Sequence, residues 1–322
     1  MQEPVETQFD RDSTAAEVVA GKDLTGKLAV ITGGSVGLGL ETARALASAG
    51  ADVFIGARRS DALAAATATL EQAGSGSVHS HTLDLMAPAS VDSFADAVLA
   101  LDRPVDILVN NAGIMACPQD YTALGIESQL ATNYVGHAQL TSRLARAIVT
   151  ADGGRVVSHS STGHQVSPVN LGDLNFKITP YHPFKAYGQS KTADVLLAIK
   201  VGKHLNDKGV TVHAVHPGII ETELGRFLTA EDRERMAASM KIDTDTTPAF
   251  KTVESGSATS VWAATAVELA DKPPLYLEDC KVGELIDVPN FTHGVLPYAL
   301  DGEIADELWS RAEAMLAREL PL

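Results

Sequence analysis

Tyr187 and Lys191 stand four positions apart in the run Tyr187-Gly188-Gln189-Ser190-Lys191, which reads as helix. Residues at i and i+4 share one helix face, so phenol and ammonium lie side by side. A nearby ammonium favours the phenolate and draws the phenol's pKa down from about 10 toward the pH at which acid–base catalysis operates. Such a pair can give a proton to a carbonyl oxygen or take one from an alcohol. The same spacing also occurs on solvated helix faces, so its meaning depends on its neighbours. One neighbour is Ser158-His159-Ser160-Ser161, at the end of a β-branched run. Side chains alternate along a strand, so Ser160 and Ser161 cannot both face one site, and the spacing leaves either as a hydroxyl for a carbonyl.

A second chemistry lies near the start of the chain. Thr32-Gly33-Gly34-Ser35-Val36-Gly37-Leu38-Gly39 follows a strand-like run and opens a helix-like one. Glycines there permit a tight turn and close backbone approach, and a helix N-terminus offers free N–H groups to a pyrophosphate. The spacing of Gly33, Gly37 and Gly39 differs from the Gly-x-Gly-x2-Gly dinucleotide fingerprint, so by that fingerprint the match is partial. About twenty residues on, where an acid would hold a ribose 2′-hydroxyl, the chain reads Gly56-Ala57-Arg58-Arg59. Two guanidinium groups suit a 2′-phosphate and predict NADP(H) over NAD(H), although both could simply end the strand in water. Asp84, with Leu85 beside it, ends the third strand and could bond an adenine amino group, or serve as a turn former.

The elements that must position these groups alternate. Short β-branched runs over 28–32, 52–57, 78–83, 107–110, 155–160 and 211–216 are separated by Ala-rich helical stretches over 37–49, 62–72, 90–101, 125–149 and 187–205. That alternation predicts an α/β fold, a single doubly wound Rossmann-type domain with a mainly parallel sheet flanked by helices. Residues 1–26 read as an N-terminal extension and 27–322 as the domain. The polar segment 219–254, with an amphipathic piece around Glu231 to Met240, falls after a strand end and is expected to cover the site, or else to be a solvated helical insertion.

Of 322 residues, 45% are hydrophobic, enough for a sizeable core, and the net charge of −16 disfavours binding to nucleic acid or anionic membranes. The only two cysteines, Cys117 and Cys280, are far apart and suggest no disulfide framework, and neither they nor the ten histidines show metal-ligand spacing, so no metal is expected. No apolar run reaches membrane-spanning length and the first residues lack a leader pattern, which predicts a cytoplasmic protein.

With these motifs assembled, the chain from about Lys27 to about Asp287 resembles the short-chain dehydrogenase/reductase family, in the branch with Thr-Gly-x3-Gly-x-Gly and Tyr-x3-Lys. The run 155–191 is especially similar to the retinol-dehydrogenase-like and WW-domain-oxidoreductase-like members. The resemblance implies a catalytic set of Asn133, Ser161, Tyr187 and Lys191; the family's Ser-Ser pattern selects Ser161, with Ser160 the alternative. It implies that Asn111, Ala112 and Gly113 stabilise the sheet and line the adenosine side. Pro217, Gly218, Ile220 and Thr222 would follow the sixth strand beside the nicotinamide. Lys191 would also hold the nicotinamide ribose, and Asn133 would position a water leading from Lys191 to solvent. The implied activity is reduction of a ketone or aldehyde to an alcohol, or the reverse, with NADP(H).

Val166, Val169, Phe176, Tyr181, Phe184, Leu224, Phe227, Leu228, Met236, Met240, Phe291 and Tyr298 are expected to line a pocket for a bulky hydrophobic carbonyl, or else to be core. Leu130, Val135, Ala138, Leu196 and Ile199 could serve a homo-oligomer contact or the core. Two other classes are weighed: a catalytically silent NADP-binding regulator, which has no need of all four catalytic groups, and an epimerase or dehydratase, whose cofactor turn is spaced differently.

Overall fold

Leu28 and Val30 face one side of the first strand, Ala29 and Ile31 face the other, and all four are fully buried. A strand with two apolar faces must lie between two layers, which is the condition for a parallel sheet covered by helices. The computed structural model, which describes residues 2–239 and 250–322, has that arrangement. Its strands are β1 (Leu28–Thr32), β2 (Asp52–Ala57), β3 (Val78–Thr82), β4 (Ile107–Asn110), β5 (Arg155–His159), β6 (Thr211–His216), β7 (Leu275–Glu278) and β8 (Lys281–Val282). They form one sheet in the order β3-β2-β1-β4-β5-β6-β7-β8, parallel except for the β7–β8 pair.

The helices are α1 (Ala15–Val19), α2 (Gly37–Ser48), α3 (Ser60–Leu70), α4 (Pro88–Leu99), α5 (Ser128–Leu130), α6 (Gly136–Val149), α7 (Pro183–Leu205), α8 (Ala230–Ser239), α9 (Val253–Gly256), α10 (Ala258–Thr265) and α11 (Gly302–Leu316). Side chains of α4, α6, α7 and α11 bury one face of the sheet, and those of α1, α2, α3 and α10 bury the other.

Several boundaries differ from the sequence reading. The helix expected over 125–149 is broken: α5 leads into a π-helical turn, Ala131–Val135, and only then into α6. The helix expected to start at Tyr187 begins at Pro183, whose missing N–H and fixed φ suit a first helical position. That moves Tyr187 inside the helix, where its backbone is rigid. The fifth strand ends at His159, one residue short of Ser160, and the third at Thr82, one short of Leu83. Helices expected at 37–49, 62–72 and 90–101 are observed at Gly37–Ser48, Ser60–Leu70 and Pro88–Leu99.

The N-terminal segment packs onto the domain. Ala15, Val18 and Val19 of α1 are buried in the α10 layer, a capping box joins Thr14 to Glu17, and Gln2 Oε1 accepts the Tyr276 N–H at 2.9 Å. Five helical residues are too few for periodicity to show. Of the residues considered for subunit contact, Leu130, Val135, Ala138 and Leu196 are buried in the core and Ile199 packs against it. α11 covers α7, with Lys200 and Lys203 both paired to Asp306.

Candidate active site

The chain runs from β1 outward to β2 and β3, then returns to place β4 on the other side of β1, so a crevice opens above the carboxyl ends of β1 and β4. The glycine turn after β1 lies at this switch. Gly33 has φ +68°, a conformation costly for residues with a Cβ, and its N–H bonds Gly56 O at 2.7 Å. A Cβ on Gly39 would fall 2.4 Å from Gly33 O and 2.4 Å from Asn111 Nδ2, so the start of α2 can pack this closely only as glycine.

Thr32 Oγ1 accepts the N–H groups of Asn111 (2.9 Å) and Ala112 (3.0 Å) and lies 2.9 Å from His137 Nε2. The other His137 nitrogen, Nδ1, is 2.7 Å from Asn133 O. A donor at Nδ1 and an acceptor at Nε2 satisfy both contacts, the Thr32 hydroxyl donating to the ring. Burial lowers His137 to about 4, so the ring stays neutral. Thr32 and His137 thus fix the 111–113 turn against the glycine turn. Neither residue was assigned a role from the sequence; a Thr before the glycines and a His four residues after Asn133 were the available signals.

A cleft of about 980 Å³ occupies this crevice, and every residue assigned above to the cofactor borders it, from Gly33, Ser35, Val36, Gly37, Leu38 and Gly39 through Arg58, Arg59, Asp84, Leu85, Asn111, Ala112 and Gly113 to Pro217, Gly218, Ile220 and Thr222. Ile114 and Thr132 also border it and were not foreseen. The two arginines differ. Arg59 is engaged with Asp61 through Nη2–Oδ2 at 2.5 Å and Nε–Oδ1 at 3.1 Å, whereas Arg58 is exposed and makes no ion pair among the described residues. Asp84 Oδ1 accepts the Met86 N–H at 3.0 Å, so it is also the turn former weighed above.

Ser161, Tyr187 and Lys191 meet at the same cleft. Ser160 also touches it, but its hydroxyl donates to Lys191 O at 2.7 Å, while Ser161 Oγ accepts the Gly163 N–H at 3.0 Å and favours the ionised form of the Tyr187 phenol. Close packing of the Thr162–Val166 turn on α7 makes this possible: a Cβ on Gly163 would stand 2.6 Å from the Tyr187 ring. Burial pushes the Tyr187 phenol up, opposed by Lys191 and Ser161. Lys191 Nζ donates to His159 O at 2.9 Å and to Asp194 Oδ2 at 2.8 Å, and lies 5.8 Å from the Tyr187 ring centroid. Burial would lower Lys191, but Asp194 and Tyr187 outweigh it and hold the ammonium above the ordinary lysine range.

Asn133 does not border the cleft. It is fully buried in the π turn, where Oδ1 accepts the Ile114 N–H (2.9 Å) and Nδ2 donates to Ile114 O (3.0 Å) and Ser190 Oγ (2.8 Å). Its carbonyl already receives the His137 ring, which leaves one lone pair for the water expected there. The side chain ties the loop after β4 to α7, the helix carrying Tyr187 and Lys191.

Beside Tyr187 the wall is apolar. Met115 and Ala116 pack on it, with Phe184, Leu224 and Leu228 next to them. The 114–117 loop is held by Gln129, whose Oε1 accepts Ala116 N–H (2.8 Å) and whose Nε2 donates to Tyr181 OH (2.9 Å) and Pro183 O (3.0 Å). Tyr181 in turn donates to Cys117 O, and Phe176 stacks edge-on against it. These two therefore brace the loop. Of the other expected lining residues, Val169 and Tyr298 pack on the core, Phe227 is exposed under Arg226, Val166 is exposed, and Phe291 is anchored through its N–H to Gln165. Met240 lies outside the described residues, and Met236 outside those whose side chains are described. From the segment expected to cover the site, Ile220 to Arg226 and Arg233 border the cleft, and an Ile220–Lys251 bridge closes the segment at its base.

A doubly wound sheet with a glycine turn at its switch point and a Ser, Tyr and Lys beside the crevice defines a nucleotide-linked α/β protein. Comparison narrows this. Residues 27–233 match the short chain dehydrogenase family. A Streptomyces lividans protein named "Probable oxidoreductase" is 43% identical over 89% of this chain and 96% of its own, and human retinol dehydrogenase 12 is 35% identical over 89% and 85%. Among solved structures, a Mycobacterium paratuberculosis protein superposes with a TM-score of 0.72 at 32% identity, covering 96% of this chain and 99% of its own. The chain belongs to the short-chain dehydrogenase/reductase family of oxidoreductases.

Proposed function

We propose that the protein is an NADP(H)-dependent carbonyl reductase, or alcohol dehydrogenase in reverse, for a bulky hydrophobic carbonyl or secondary alcohol. The observation that carries the reading is the convergence of Ser161, Tyr187 and Lys191 on the cleft that the glycine turn and Arg58 share. The turn fits a dinucleotide: the approach of Gly33, Gly39 and Asn111 leaves no space for a Cβ, and Arg58 has a guanidinium available for a 2′-phosphate. When bound, the cofactor supplies or accepts a hydride. A short-chain dehydrogenase of Burkholderia cenocepacia, solved in complex with NADP, superposes at a TM-score of 0.64 and 26% identity over 80% of this chain and 97% of its own, which supports that choice of cofactor.

The chain's own groups do the rest. Ser161 holds the substrate oxygen by a hydrogen bond, and Tyr187 gives that oxygen its proton during reduction. Lys191 sets the electrostatics of the phenol, and Asn133 holds the loop and helix that frame them. Met115, Ala116, Phe184, Leu224 and Leu228, packed on or beside Tyr187, offer the substrate an apolar surface, with Glu223, Arg226 and Arg233 also bordering the cleft.

Tyr187→Phe tests the reading. Turnover of NADPH against a panel of aromatic and alicyclic ketones should fall at least about a hundredfold, within the range of general acid catalysis, while NADPH affinity measured by fluorescence stays within a few fold. Undiminished turnover in this variant would remove the mechanism.

A further inference from the structure

Asp194 has no part in the mechanism above, yet it touches the group that tunes it. It lies on α7, seven positions after Tyr187 and three after Lys191, and is 2% exposed. Its Oδ2 accepts from Lys191 Nζ at 2.8 Å, and its Oδ1 is buried without a partner. A buried carboxylate with one empty oxygen is costly, and its place is set by the ion pair.

The ammonium has three N–H donors. One is spent on His159 O and one on Asp194, so a single donor remains for the cleft. His159 is fixed in turn, its Nε2 2.7 Å from Ser260 Oγ. Lys191 is thereby held from behind by two acceptors within the core.

We propose that Asp194 is a positioning residue that draws Lys191 toward the core and offsets its charge at Tyr187, so that Tyr187 keeps its proton and the site is set for carbonyl reduction rather than alcohol oxidation. This rests on Tyr187 being the proton donor. The electrostatics agree in direction. Burial is the main influence raising the phenol, Lys191 and Ser161 oppose it, and Asp194 adds to it. Burial pushes the Asp194 carboxyl itself up to about 7 against the pull of Lys191. Above that pH it carries its charge, in the range where a phenol beside an unopposed ammonium would ionise.

The other titratable groups around the pair do not compete. His159 on β5, His216 on β6 and His164 in the turn before α7 are lowered by burial to about 3, 3 and 4, and His137 on α6 to about 4. Tyr134 in the π turn and Tyr276 on β7 are both raised by burial. Glu278 on β7 is raised by burial to about 7, but the charges that act on Tyr187 itself are those of Lys191 and Asp194.

Asp194→Asn tests this without substrate. In protein labelled with ¹³Cζ-tyrosine, the Tyr187 resonance, identified by its loss in Tyr187→Phe, should titrate about one pH unit lower in Asp194→Asn than in the wild type. The pH of half-maximal alcohol oxidation should fall with it. An unmoved or raised Tyr187 midpoint in folded Asp194→Asn overturns the proposal. If that variant does not fold, aspartate ¹³Cγ spectra of the wild type decide: all aspartates ionised at pH 9 supports it, and one still protonated there overturns it, because a neutral carboxyl offsets no charge. Failure of the underlying reading is separable, since it shows as turnover surviving in Tyr187→Phe, whatever Asp194→Asn does.

Discussion

Two adjacent arginines, identical in type, are separated by one ion pair. Arg59 gives Nε and Nη2 to Asp61, and Arg58 makes no such pair among the described residues. A charge-assisted hydrogen bond is worth about 1.5–3 kcal/mol, so Arg58→Ala should weaken NADPH binding by roughly ten- to a hundredfold and leave NADH nearly unchanged. Arg59→Ala should do far less. Fluorescence titration of both nucleotides checks this, and an equal loss of both would contradict a 2′-phosphate contact. At this scale the sequence showed residue types well and their partners poorly. Ser160 and Ser161 were left as alternatives by spacing, and a hydroxyl already donated to Lys191 O distinguishes them. Asp194 was legible as the third member of the Tyr187–Lys191 helix face, at i+3 from the lysine, but a carboxylate on a helix is usually solvated and only its burial gives it meaning.

Elements decide how closely those residues approach. The glycine turn and the head of α2 are in backbone contact, so Gly39→Ala forces Gly33 O or Asn111 to move from a Cβ placed 2.4 Å away. Such overpacking costs about 1–3 kcal/mol. We expect Gly39→Ala to lower the melting temperature and to abolish measurable NADPH binding, because the displaced groups form the cradle itself. Retained affinity would show that the turn has slack. The expectation of one helix over 125–149 failed for a related reason. Apolar periodicity persists through Ala131–Val135, but the π turn widens the backbone there and delivers Asn133 to Ile114 and Ser190, a tertiary demand that periodicity does not report. Strand ends, by contrast, were nearly right, because β-branched runs between glycine and polar turns are a local signal.

The whole molecule buries many of its histidines as neutral rings. His164, His213 and His216 each accept a backbone N–H on a ring nitrogen, from Leu296, Leu275 and Thr162, a bond that protonation would remove. Burial lowers His159, His213 and His216 to about 3 and His137 and His164 to about 4. Unfolded histidine titrates near 6.5, so below that pH the unfolded chain takes up protons the folded one refuses, and stability present above 6.5 is lost as pH falls. Burial raises Asp194 and Glu278 to about 7 and raises Glu127, and these act in the opposite direction because the folded state holds their protons longer. Five histidines outnumber these carboxyls, so the histidines set the net sign and stability falls between about pH 6 and 4.5. Urea unfolding at pH 7.5, 6 and 5 measures it; stability that holds or rises down to pH 5 would contradict the assignment of neutral rings.

The sequence by itself determined the class of fold, the places of its first six strands along the chain and the types of residue at the site. Those rest on alternation, turn chemistry and helix spacing, which act over a few residues. Tertiary structure alone decided that residues 2–26 pack into the domain, that α11 covers α7, and that Asn133 braces the site from outside the cleft. It also decided that the ammonium beside Tyr187 is shared with a buried carboxylate. Each of these joins side chains to groups brought near only by the packing of distant elements, and local spacing carries no record of such contacts.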